Sequence, residues 1–153
     1  MKYMGSKARF ANEILPIITK GRTEEQTYVE PFAGGMNMID KVAGKRIAND
    51  IHIELIEMWK ALVCGWQPPL TITEEQYVEI RDNKKNYNKA LVAYVGFNSF
   101  GGKWFAGYRR DKQGKRDYWR EHYNNITKQI PKLKGVKFSN CSFTDLKIPP
   151  NSI

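Results

Sequence analysis

Only two cysteines occur in the chain, Cys64 and Cys141, and they lie far apart. Neither a disulfide framework nor a closely spaced zinc-binding pair can be built from them. Histidine is as scarce: His52 and His122 are isolated, so no metal is expected. Long apolar runs are missing as well. The longest, Ala90 to Phe97, contains Gly96 and falls far below the roughly 20 residues needed to span a bilayer. Met1-Lys2-Tyr3-Met4-Gly5 gives way at once to Ser6-Lys7-Ala8-Arg9, without the apolar stretch of a secretory signal. The expectation is a cytoplasmic chain with no membrane partner. Two nucleotide fingerprints are also absent. Gly34-Gly35-Met36-Asn37-Met38 lacks the third glycine of the dinucleotide loop, and no phosphate-loop Gly-Lys-Ser/Thr occurs, which argues against a nicotinamide or ATP site.

What the sequence has is positive charge. Its 153 residues carry a formal net charge of +9, with 41% apolar and 27% charged residues. That length suits one domain, or one domain with a small insertion. A surplus of this size fits a polyanionic partner, although a solvated basic surface explains the total equally well. Its distribution is more informative. Lys103 to Arg120 holds seven basic residues against two acidic ones, a local net charge of +5.

The first half alternates between helical and strand patterns. Phe10, Ile14, Ile17 and Ile18 have helical spacing, limited by Pro16. Residues 27–30 read as a short strand that runs into Pro31-Phe32-Ala33-Gly34-Gly35. Met36 to Val42 reads as a short helix closed by Gly44, Arg46 to Asn49 as a second strand ending at Asp50, and His52 to Cys64 as an amphipathic helix. This is the opening of a doubly wound parallel sheet. From Gly65 to Pro69 the pattern breaks. Helices are then expected from Thr73 (as N-cap) to Asn83, from Asn88 to Gly96 and from Tyr118 to Ile130, and a strand at Val136 to Phe138. The fold class is therefore α/β: residues 1–66 and 134–153 form part of a cofactor-binding sheet domain, and 67–133 a mainly helical insertion.

Glu30-Pro31-Phe32-Ala33-Gly34-Gly35 lies where ligands of open α/β sheets bind, and Asp50 ends the next strand. Glycine lets a ligand approach the backbone, and a carboxylate so placed can accept hydrogen bonds from both ribose hydroxyls. Each feature alone has an ordinary explanation, a tight turn and a helix cap. Together they form a coherent nucleoside pocket.

Lys2-Tyr3-Met4-Gly5-Ser6-Lys7, the Glu30 to Gly35 loop, Asn49-Asp50 and Gly96-Phe97-Asn98-Ser99-Phe100-Gly101-Gly102, taken in this order, resemble the Dam-type (D12 class) DNA adenine-N6 methyltransferases. The resemblance covers essentially the whole chain. It implies a Rossmann-like methyltransferase sheet, S-adenosylmethionine as cofactor and double-stranded DNA as partner. It further implies that Tyr3, Gly5 and Lys7 sit beside the cofactor and target base. Glu30, Phe32, Gly34 and Gly35 would surround the methionine part, Asp50 would hold the ribose, and Phe143 would lie against the adenine. Where the family often has an acid before that aromatic, Ser142 stands here. Taken singly, Phe32 and Phe143 also suit a core, and Lys7 a solvated helix start.

The region 97–120 interleaves aromatics, glycines and basic residues. Arg109, Arg110, Lys112, Lys115 and Arg116 are expected to contact DNA, chiefly its phosphates, on a hairpin or mobile tip around Gln113-Gly114, with Asn98 positioning it. Trp104, Phe105, Tyr108 and Trp119 suit a small-domain core. The family's Asp-Pro-Pro-Tyr-type catalytic motif does not occur, since Ile148-Pro149-Pro150-Asn151 lacks both acid and aromatic. No catalytic residue is therefore assigned. The chain is expected to be the front part of such an enzyme or a truncated descendant, inactive alone, with Ser152-Ile153 opening the next strand. An exposed sheet edge could support self-association. Two other readings stay open at this stage: a non-catalytic DNA-binding module, and an unrelated nucleotide-binding α/β protein with a basic insertion.

Overall fold

The computed structural model describes all 153 residues. Its sheet is small and entirely parallel: β1 (Tyr28–Glu30), β2 (Arg46–Asn49) and β3 (Val136–Ser139), in the order β1-β2-β3. Val29 faces Ile47 and Ile47 faces Lys137. All three carboxyl ends therefore lie on one side of the sheet, where the candidate pocket residues begin. The free flank of β1 is partly occupied. Ile153 donates to Thr27 O at 2.9 Å and accepts from Val29 N at 2.7 Å, the pattern of a parallel ladder. Ile153 thus lies beside β1, while the sheet itself has three strands. Arg46 ties the start of β2 to the segment before β3, its guanidinium donating to Lys132 O at 2.7 Å and Lys134 O at 2.8 Å.

Five α-helices accompany the sheet: α1 (Ala11–Ile18), α2 (Ile53–Val63), α3 (Glu74–Asp82), α4 (Lys89–Phe97) and α5 (Tyr118–Thr127). Their starts follow the caps written in the sequence. Thr73 Oγ1 accepts from Gln76 N at 3.2 Å while the Gln76 side chain accepts from Thr73 N at 2.9 Å, a capping box. Asn88 caps α4 and Asp117 caps α5. Pro16 sits inside α1, and the helix ends two residues later. The α-helix expected over 36–42 is only a 3-10 turn at Ile39–Lys41. Met36 takes the left-handed conformation at φ +58°, which an α-helix cannot contain.

The core is one cluster of 25 buried residues. Its centre is the contact between α2 and α4, where Leu55, Ile56, Trp59 and Leu62 meet Val92, Ala93 and Val95. Burying each such large side chain contributes roughly 1.5–3 kcal/mol. Trp119 is buried in the same cluster, and Trp104, Phe105 and Tyr108 pack against it, as a small helical region requires. No helix is long and apolar enough to cross a membrane.

Candidate functional site

The pocket is assembled from the strand ends by two neighbouring residues. Asn49, the last residue of β2, is buried and joins all three strands. Its Nδ2 donates to Pro31 O at 3.1 Å and Cys141 O at 3.0 Å, and its Oδ1 accepts from Cys141 N at 3.1 Å. Its carbonyl accepts from Ala33 N at 2.8 Å. Asp50 follows and is 9% exposed. Its Oδ2 accepts from Gly34 N at 2.9 Å and its Oδ1 from His52 N at 3.0 Å. The N-cap of α2 is His52 rather than Asp50. Asp50 instead holds the glycine loop of β1 against the end of β2. Each of its oxygens has accepted one hydrogen bond here and keeps a second lone pair.

Seven of the residues singled out in the sequence line one cavity: Tyr3, Gly5, Lys7, Glu30, Phe32, Gly34 and Gly35. Asp50 joins it through Gly34. Phe143 joins it through Phe32, with ring centroids 5.3 Å apart. Neither phenylalanine belongs to the core, for Phe32 is 70% and Phe143 57% exposed. Ile51 is 75% exposed beside Asp50. The carboxyl ends of the three strands therefore lead into three bare apolar side chains flanking one carboxylate. Ile51 carries no sequence motif, and its exposure is what distinguishes it.

The glycines have a role that the sequence does not reveal. Their faces are occupied by Tyr3. A Cβ on Gly34 would lie 2.6 Å from Tyr3 Cε1, and one on Gly35 would lie 2.7 Å from Tyr3 Cβ. The phenol also packs on Phe97 at 5.2 Å. Burial raises its pKa, with the charge of Asp50 as the lesser cause. The enclosed cavity is only about 60 Å³, too small to enclose a nucleoside, and the exposed faces of Phe32, Ile51 and Phe143 lie outside the core around it.

Glu30 lines the same cavity, and its Oε2 accepts from Ile39 N at 3.0 Å. Burial is the main cause of a pKa pushed up from 4.5 to about 7, opposed by that hydrogen bond. The folded chain thus keeps a proton that the unfolded chain releases above about pH 4.5. Stability falls as pH rises from 4.5 through 7 and then levels. Glu30→Gln is expected to be more stable than wild type at pH 8, on the order of 2 kcal/mol, with no difference at pH 4. Urea unfolding at both pH values measures this. An equal difference at both would remove Glu30 as its source.

The basic segment is a compact turn. Asp111 Oδ1 accepts from Gln113 N at 3.1 Å, and its Oδ2 accepts from Lys115 N and Arg116 N, both at 2.7 Å. No hairpin forms, and Ser99–Tyr108 is an isolated antiparallel bridge. The cations are not equivalent. Arg110 forms a two-point pair with Glu74 and Arg116 one with Glu121. Arg109 donates to Asn98 Oδ1 at 3.1 Å and stacks 4.0 Å from the Tyr118 ring centroid. Lys112 and Lys115 are exposed at the tip without a side-chain partner. Asn98 is 1% exposed and acts on the turn from inside.

The turn and the pocket meet through the N-terminal segment. Met4 N donates to Gly102 O at 3.2 Å. Tyr3, His52, Phe97 and Trp104 stack at centroid distances of 4.3–5.2 Å. Two of the stretches that carried the resemblance, 2–7 and 96–102, are thus packed face to face. No group of three or more His, Cys, Asp or Glu side chains is placed to hold a metal ion.

A family model described as D12 class N6 adenine-specific DNA methyltransferase matches residues 3–146. The modification methylase StsI of Streptococcus sanguinis is 30% identical over 97 residues, which cover 61% of this chain and 14% of that protein. The chain thus spans a small part of that relative's length. The family match extends over nearly every residue described above, from Tyr3 through Phe143, and the chain belongs to the D12 class of N6 adenine-specific DNA methyltransferases.

Proposed function

We propose that these residues form the S-adenosylmethionine pocket and the DNA target-recognition region of a DNA adenine-N6 methyltransferase. The observation that carries the reading is the convergence of Tyr3, Gly5, Lys7, Glu30, Phe32, Gly34 and Gly35 on one cavity next to Asp50. The fit to the cofactor rests on its chemistry. An adenosine needs an acceptor for two ribose hydroxyls and apolar faces for a purine. Asp50 keeps two lone pairs, and Phe32, Ile51 and Phe143 have no core packing to lose. The cofactor supplies the methyl group. In this reading Asp50 binds the ribose, Phe32 and Phe143 exclude water from the adenine, and Glu30 faces the methionine end.

Residues 1–66 and 134–153 serve the cofactor, and residues 67–133 serve DNA. Lys112 and Lys115 at the turn tip are free to neutralise phosphates, while Asn98 and Tyr118 fix the plane of Arg109. Methylation of an adenine N6 requires the base to leave the duplex and its amino group to be held by acceptors. The Asp-Pro-Pro-Tyr motif that does this in the family is not among these residues, so they bind and orient without transferring the methyl group by themselves. Anisotropy with a labelled duplex tests the DNA role. Lys112→Gln/Lys115→Gln is expected to lower the slope of log affinity against log salt by about two. An unchanged slope would remove the tip from the interface.

A further inference from the structure

Beyond the turn tip lies a cleft of about 430 Å³ that the sequence does not announce. Five basic side chains from separate stretches line it: Lys2, Arg109, Arg116, Lys128 and Lys132. Only one of its twelve lining residues is hydrophobic, which leaves little for a lipid chain or a stacked base. Its two carboxylates are already committed. Asp40 pairs with Lys41 at 2.8 Å, and Glu121 pairs with Arg116 at 2.7 Å. Lys2, Arg109, Lys128 and Lys132 have no carboxylate within 4 Å. His122 adds no charge. Burial pushes its pKa down to about 3, and its Nε2 lies 3.1 Å from Tyr94 O.

Arg109 is the most telling of the four. It is half-buried, and its side chain makes one hydrogen bond, to the neutral Asn98 Oδ1. A guanidinium has five N–H donors, and a partly desolvated cation with no carboxylate in direct contact is costly to hold; burial lowers its pKa, and the more distant charge of Glu121 opposes this only in part. The Tyr118 ring and Asn98 fix it in place at that cost. Unpaired cations drawn from three stretches suit an extended polyanion better than one small ion. The cleft also joins the turn through Arg109 and Arg116, and shares Asn37 with the cofactor cavity.

We propose that this cleft binds the phosphodiester backbone of DNA flanking the target, as a second contact separate from Lys112 and Lys115. The inference rests on the DNA-binding role proposed above. It extends the footprint from the turn along the C-terminal end of α5 to Lys132.

The test is anisotropy of a labelled duplex over a series of salt concentrations. Lys128→Gln/Lys132→Gln removes two exposed side chains, and circular dichroism checks that the fold persists. The variant is expected to lower the slope of log affinity against log salt by about two and to weaken binding about tenfold. Lys20→Gln/Lys89→Gln makes the same charge change away from the cleft and is expected to leave the slope unchanged. A wild-type slope in Lys128→Gln/Lys132→Gln, with loss of slope in Lys112→Gln/Lys115→Gln, overturns the cleft and leaves the DNA role standing. Equal losses in the cleft and control pairs reduce the effect to bulk charge and overturn it too. A wild-type chain that does not bind the duplex overturns both.

Discussion

Replacing Asp50 by alanine is expected to weaken binding of S-adenosylmethionine, or its demethylated product, by about 100-fold or more. Two losses combine. The carboxylate offers charge-assisted hydrogen bonds to two ribose hydroxyls, each contributing roughly 1.5–3 kcal/mol. It also holds the glycine loop through Gly34 N at 2.9 Å and the start of α2 through His52 N at 3.0 Å. Asp50→Asn is an intermediate case. One amide oxygen can still accept from Gly34 or His52 but not from both, and the charge is gone. It is expected to lose about tenfold in affinity and to unfold at a somewhat lower temperature, because one backbone N–H then faces the amide NH2. Calorimetric titration of the three proteins measures the series. Equal dissociation constants in wild type and Asp50→Ala would mean that the nucleoside lies elsewhere.

Gly102→Ala is expected to cost about 3 kcal/mol of stability and to lower cofactor affinity with it. The residue sits at φ +69°, and an added Cβ would lie 2.9 Å from Lys2 C, Lys2 O and Tyr3 Cα. These are backbone atoms, so no side chain can swing aside. Relief requires the segment 2–4 to move, which breaks the Met4 N to Gly102 O bond and shifts Tyr3 from the faces of Gly34 and Gly35. The neighbouring Gly101 provides the control. It has nearly the same φ of +68°, but its nearest neighbour would be Lys103 Cγ at 3.8 Å. Gly101→Ala bears only the left-handed strain of about 1–2 kcal/mol. Equal costs at the two positions in urea unfolding would rule out the contact with the N-terminal segment as the cause.

Much of this site was legible because it is carried by local patterns. Short β-prone runs marked the three strands, and Thr73 and Asn88 marked helix starts. The glycine loop and Asp50 gave the pocket its place at the strand ends. What stayed hidden depends on contacts through space. No local signal says that Tyr3 covers Gly34 and Gly35, or that Asn49 joins Pro31 to Cys141. The helix expected over 36–42 failed for a conformational reason, because Met36 takes a left-handed conformation. The basic run gave the charge but not its pairing. Arg110 and Arg116 are held by Glu74 and Glu121, acids outside the run itself. Lys2, Lys128 and Lys132 form a cleft with Arg109 only after folding.

The central claim is that the strand ends hold the methyl donor, and photolabelling with methyl-tritiated S-adenosylmethionine tests it most directly. Irradiation of the complex followed by peptide mapping is expected to place the label on peptides carrying Phe32, Asp50 or Phe143, with labelling lost in Asp50→Ala. Label on the apolar cavity between α3 and α4, lined by Trp66, Ile80 and Leu91, or undiminished labelling of Asp50→Ala, would contradict the account.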